Sequence, residues 1–320
     1  MNKLFTIAKN TFIEIIRQPI FAVIIIVALL LLFISPSLTM YTMDDDNKLL
    51  REIGLSTLFL TSLFIAIFSA SGALAEEIEN KTITTVMSKP IRRPVFIIAK
   101  FLGVTAAVIL AHYICTVGLL MTIRHGVLET VNDPHDWTVI CSAGVSVLAV
   151  LLLTAFFNYA YDWKFTSTAI LLAGVFATLS IVFLFFIDSN WQFNPAQNSI
   201  NTVDIYGAVL LLMAAIIIVA LAIAFSARFN IIVTLSACMG IFLLGLISDY
   251  IFARFSDEYF WAKIGRYIVP NIQIFWISDA IYEGSDVPLK YIAISASYAL
   301  FYTAAILSLA VAIFQRRQIG

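Results

Sequence analysis

Eight stretches of the chain, at 18–43, 53–75, 101–123, 137–161, 165–187, 205–227, 229–248 and 291–315, run for about 20 residues or more without a formal charge. A helix rises about 1.5 Å per residue, so roughly 20 apolar residues cross the hydrocarbon layer of a bilayer. Leu, Ile, Val, Ala and Phe fill these stretches on every face, as helices in lipid require. The period-2 alternation of a membrane barrel is absent. The expected fold is therefore all-α, a polytopic bundle of about eight transmembrane helices. Hydrophobic residues make up 61% of the 320 and charged residues only 12%, about half the charge of a soluble domain. That balance excludes water-soluble enzyme classes. The first run lacks a small-residue cleavage site and reads as a retained span. A net charge of −1 provides no field that would draw in nucleic acid. Cys115, Cys141 and Cys238 each fall inside an apolar run and read as buried packing thiols, with no disulfide or metal spacing.

Lys and Arg in the loops set the expected orientation. With the N-terminus inside, the inner segments sum to +7 and the outer ones to −8. An even number of spans then places both termini in the cytoplasm. Residues 1–19 stand apart from the first span. Leu4, Ala8, Phe12, Ile15 and Ile16 recur at helical spacing, while Lys3, Thr6, Lys9, Asn10, Glu14 and Arg17 occupy the other faces. This predicts an amphipathic helix on the inner leaflet, in contact with membrane lipids and ended by Pro19. The remainder, 20–320, is the transmembrane domain. Asp44, Asp45 and Asp46 in the first outer loop read as a solvated charge run, since a calcium site needs more oxygen ligands at defined spacing. The stretch 189–203 is a polar loop, and 267–278 is apolar but too short to span, which suits a re-entrant or interfacial segment.

Two loop regions are large enough to act, 76–94 inside and 250–290 outside. In the first, Glu76, Glu77 and Glu79 open a helix, and Lys89, Arg92 and Arg93 lie towards its other end, as the helix dipole favours. Ile78, Thr82, Thr85, Val86 and Lys89 share one stripe. Pro90 and Pro94 stop the helix and turn the chain back into the bilayer. A short, stiff, polar-faced helix hung between two spans is shaped to pass on movement from a soluble partner.

The string Glu77, Glu79, Thr82, Ser88, Pro90, Arg93 and Lys100 resembles the corresponding loop of type-2 (ABC-2) ATP-binding-cassette transporter permeases. The N-terminal helix is similar to that family's connecting helix. Pro270, Asn271, the run Ile277 to Ala280 and the closing Phe314, Arg316 and Arg317 resemble its C-terminal pattern. Two features depart from it: Lys81 stands where many members have Gly, and eight runs exceed the usual six spans. The resemblance implies that Glu77, Glu79, Thr82, Ser88, Pro90 and Arg93 form a coupling helix docked on an ABC ATPase subunit supplied in trans. It also implies a second permease subunit, identical or related, and outward movement of a substrate across a bacterial cytoplasmic membrane.

No G-x-x-x-x-G-K-[ST] and no Gly-Lys pair occurs, so the chain is not expected to hold ATP or to be an enzyme. ATP and Mg²⁺ are expected on the partner, with no cofactor on this chain. His112 lies alone in the third run and Asn158 in the fourth. Without a paired acid, His112 reads as a packing histidine before a proton relay. Phe252, Phe255, Tyr259, Phe260, Trp261, Tyr267, Phe275 and Trp276 crowd the outer region. They fit an aromatic belt at the boundary or short re-entrant helices closing the outer end of a path. The rival to a permease is a membrane anchor or assembly component of an envelope complex.

Overall fold

The computed structural model describes residues 3–39, 46–76, 92–128, 133–195, 201–256, 259–282 and 286–316. Among these residues eleven α-helices follow in order. They are α1 (Lys3–Ile16), α2 (Pro19–Thr39), α3 (Asp46–Ser71), α4 (Arg93–His125), α5 (Trp137–Tyr161), α6 (Phe165–Phe186), α7 (Thr202–Ser226), α8 (Ile231–Leu246), α9 (Phe260–Ile268), α10 (Ser278–Tyr282) and α11 (Leu289–Gln315). A π-helical turn, Gly72–Glu76, closes α3, and a second, Asp249–Ala253, follows α8. Among the described residues, seven helices are long and apolar enough to cross a membrane: α2 to α7 and α11.

The seventh charge-free run, 229–248, forms the 16-residue helix α8. That is about 24 Å at the helical rise, short of a full hydrocarbon layer. Beyond it the chain turns through the π-helical segment, α9 and an otherwise irregular stretch at 269–277 that holds a 3-10 turn at Gln273–Phe275. Because α7 ends and α11 begins at opposite ends of the bundle, residues 227–288 still carry the chain across it once. The described chain thus starts and finishes at the same end, where Arg93 meets Gln315.

Burial sorts the helices into two layers. α3, α4 and α7 form the centre, with 67%, 61% and 72% of their apolar windows buried, against 28% for α2, 11% for α5 and 22% for α6. The core runs through Leu58, Leu63, Val104, Val108, Leu211 and Ile218, all at or near zero exposure. Helix ends are fixed by residues at the borders of the runs. Asp136 accepts from the backbone N–H of Thr138 and Val139 at the start of α5. Asn201 and Asn230 cap α7 and α8 in the same way. Inside α2, Pro36 cannot donate to the carbonyl of Leu32. That oxygen instead accepts from the Ser35 hydroxyl at 2.8 Å and the Thr122 hydroxyl at 3.3 Å. A proline is tolerated there because neighbouring hydroxyls satisfy the carbonyl it leaves open. Cys115 and Cys238 are buried as expected, whereas Cys141 is exposed on the outward face of α5, the least covered helix.

Candidate functional site at the Arg93 end of the bundle

Helices α3 and α4 are joined by 77–91, outside the described residues. Glu77, Glu79, Thr82, Ser88 and Pro90 all lie there. Arg93, the remaining member of the predicted set, opens α4 in the turn after Arg92, with a proline in that first turn as helix starts favour. Its Nη1 donates to the carbonyl oxygens of Gln315 at 2.7 Å and Phe314 at 3.3 Å. A guanidinium at a helix C-terminus satisfies carbonyls that have no partner within the helix. One turn on, the Phe96 ring stacks on Phe314 at 5.8 Å. The start of α4 is thereby fastened to the end of α11.

The same stretch of α4 also holds α1. Lys100 is buried to 3% exposure, with its Nζ 4.0 Å from Glu14 of α1 and 5.8 Å from the Phe96 ring centroid. Glu14 is more than half exposed, so this pair sets register more than it stabilises. The close approach is at Gly103. A Cβ there would sit 2.6 Å from the Ala8 carbonyl oxygen and 2.7 Å from Thr11 Cβ. Thr11, Ile15 and Ile16 bury the contacting face of α1. Gln18, in the turn after α1, faces Gly72 of the π-helical turn that ends α3. The start of α4 is thus tied to both α1 and α11, and the end of α3 lies beside Gln18.

Midway along the bundle, His112 joins the three central helices. Its Nδ1 lies 2.6 Å from the Ser62 hydroxyl of α3, and its Nε2 lies 2.9 Å from the Ala208 carbonyl of α7. A carbonyl only accepts, so Nε2 carries the proton and Nδ1 takes Ser62's. Ser62 shares that proton with the Leu58 carbonyl at 2.9 Å. Sequence reasoning singled out His112 but not Ser62, which shows no pattern of its own. Asn158 is exposed, and its amide donates to the Trp163 carbonyl at 2.6 Å, bracing the turn between α5 and α6.

At the opposite end, Arg124 donates to Asp136 at 3.2 Å and to the carbonyls of Ile187, at 2.7 Å, and Leu184. One side chain thus ties α4, α5 and α6 together. Arg51 pairs with the buried Asp204 at 3.1 Å. The outer aromatic region divides in two. Phe255, Tyr259 and Trp261 are exposed and lie ring against ring, while Ile272, Phe275 and Ile277 are buried in the core. Trp276 packs on Phe59 of α3 at 6.1 Å. The irregular backbone there is satisfied by α11. The hydroxyls of Tyr291 and Tyr302 donate to the carbonyls of Ile274 and Ile268, both at 2.5 Å, and that of Tyr298 accepts from Asn271 N–H at 3.0 Å. Ile272 N–H donates to the Gly245 carbonyl at 3.1 Å. Among the described residues, no group of three His, Cys, Asp or Glu is gathered to hold a metal.

Fold and polarity together define a multi-pass helical membrane protein. In comparisons with known proteins, no family model and no curated protein matches the chain.

Proposed function

We propose that the chain is the membrane-spanning permease subunit of an ABC-2-type ATP-binding-cassette transporter. It moves a substrate outward across a bacterial cytoplasmic membrane, with both termini in the cytoplasm. A separate ATPase subunit binds ATP and Mg²⁺, and a second permease subunit completes the path. This chain hydrolyses nothing.

The observation that carries the reading is the fastening at the Arg93 end. A force applied at 77–91 would reach α1 through the Lys100–Glu14 pair and the close packing at Gly103, and α11 through Arg93, while Gln18 lies beside Gly72. Packed interfaces pass displacement on rather than absorb it. α3 and α4 continue that motion to the centre, where His112 holds them to α7. The segment at 269–277, inserted among the helices and tied by the α11 tyrosines, serves as the re-entrant closure of the outer end. α8, together with the chain up to α11, makes one further crossing beside the seven long helices.

Purification of the full chain in mild detergent, with mass spectrometry of what accompanies it, tests the assignment. An accompanying ATPase that bears a phosphate-binding loop is the expected result. Envelope proteins without one would support an anchor instead.

A further inference from the structure

An open cleft of about 550 Å³ lies between α1 and the turn joining α5 to α6, lined by Asn10, Ile13, Glu14, Arg17 and Lys164. Arg17 and Lys164 come from segments far apart in the chain, yet both face this one space. Among the described residues neither is paired with an acid, while the cleft's carboxylate, Glu14, already faces Lys100. Asp162, in the same turn as Lys164, does not line the cleft. The cleft thus sets two basic side chains against one carboxylate, Glu14, which itself lies 4.0 Å from Lys100.

The turn is built to hold Lys164 in place. Trp163 stacks on Phe157 at 4.9 Å, its carbonyl accepts from Asn158 at 2.6 Å, and Asp162 takes up the left-handed conformation that reverses the chain. The Lys164 carbonyl accepts from Thr168 N–H at 3.1 Å, which anchors its backbone to α6. Tyr159, Tyr161 and Trp163 are exposed around it, the residue types that gather at the depth of lipid headgroups. A guanidinium, an ammonium and the Asn10 amide offer donors suited to a phosphate, and Ile13 offers an apolar wall beside them.

We infer that this cleft binds a phosphate group, with Arg17 and Lys164 as its ligands, in the position of an anionic lipid headgroup. The inference rests on the bilayer reading of the bundle and not on transport or on any ATPase. Basic pockets between helices at the membrane surface take such headgroups.

The test is thermal unfolding of the full chain in detergent micelles doped with dioleoylphosphatidylglycerol, dioleoylphosphatidylcholine or, separately, inorganic phosphate. Phosphatidylglycerol should raise the midpoint saturably, and phosphatidylcholine, whose choline adds a cation, should not. R17Q/K164Q should keep the parent midpoint in phosphatidylcholine and weaken the apparent affinity for phosphatidylglycerol by about tenfold or more, the scale expected for losing charge-assisted contacts. R17K/K164R should retain the response, and K263Q/R266Q, whose charges lie on α9, should leave it unchanged. A saturable response to inorganic phosphate that R17Q/K164Q abolishes would support the phosphate site and identify free phosphate as a source. An undiminished phosphatidylglycerol response in R17Q/K164Q, or an equal loss in K263Q/R266Q, would overturn it.

Discussion

At Gly103 there is no room for a methyl group, because the Ala8 carbonyl and Thr11 of α1 already occupy the space. At Gly144 of α5, nothing lies within 4 Å of where one would go. The same substitution should therefore have opposite signs at the two sites. Gly144→Ala removes backbone freedom from an open helical position and should be neutral or stabilising by up to about 1 kcal/mol. Gly103→Ala must push α1 from α4 and should cost about 1–3 kcal/mol, as overpacking does. Thermal midpoints of the two purified variants check this, and equal shifts would mean that α1 does not pack where described. Neither difference is legible in the sequence. Both glycines sit in apolar runs, and only the distant partner of one makes it indispensable. His112 is the converse case, since a lone imidazole in a span is conspicuous while its partners, one serine and one backbone carbonyl, are not.

Among the elements, boundaries were legible where a charge or cap coincides with the end of a helix. The 137–161 run, bordered by Asp136 and Asp162, matches α5 at both ends. The 101–123 run falls short of α4, which begins at Arg93, because absence of charge was the criterion and Lys100 is buried against Glu14 and Phe96. The 229–248 run overreaches α8 by two residues at each end, since Asn230 caps the helix inside the run and no charge marks its end at Leu246. The tyrosines of α11 were hidden for a different reason. Each counts as apolar bulk in a span, yet its hydroxyl serves backbone at 268–274. That tie makes a prediction. Tyr298→Phe leaves the Asn271 N–H without its acceptor in a low-dielectric setting, at a cost of about 1–3 kcal/mol. Hydrogen exchange of the full chain in lipid nanodiscs should show faster exchange at 269–277 in Tyr298→Phe and unchanged protection in α3 and α7. Unchanged protection at 269–277 would mean that the hydroxyl does not hold the segment.

Taken whole, the molecule is a double-layered bundle whose centre, α3, α4 and α7, is clasped at both ends and in the middle. Arg93 joins α4 to α11, His112 joins α3, α4 and α7, and Arg124 joins α4 to α5 and α6. Every clasp includes α4, the longest helix among the described residues, which follows the 77–91 segment. The all-helical class and most of the membrane runs were readable from charge-free length alone. The clasps were not, because each depends on a partner in a distant element. We have proposed that the 77–91 segment couples this bundle to an ATPase. The most direct test of that proposal is the double variant Glu77→Lys/Glu79→Lys, assayed for co-purification of the ATPase and for transport-linked ATP hydrolysis. Exposed acids that only face water are worth well under about 1 kcal/mol, whereas breaking desolvated charge pairs at an interface costs about 2–5 kcal/mol. If the segment is the coupling element, the variant should be a folded, inserted protein that no longer retains or stimulates the ATPase. Normal association and activity in that variant would contradict it.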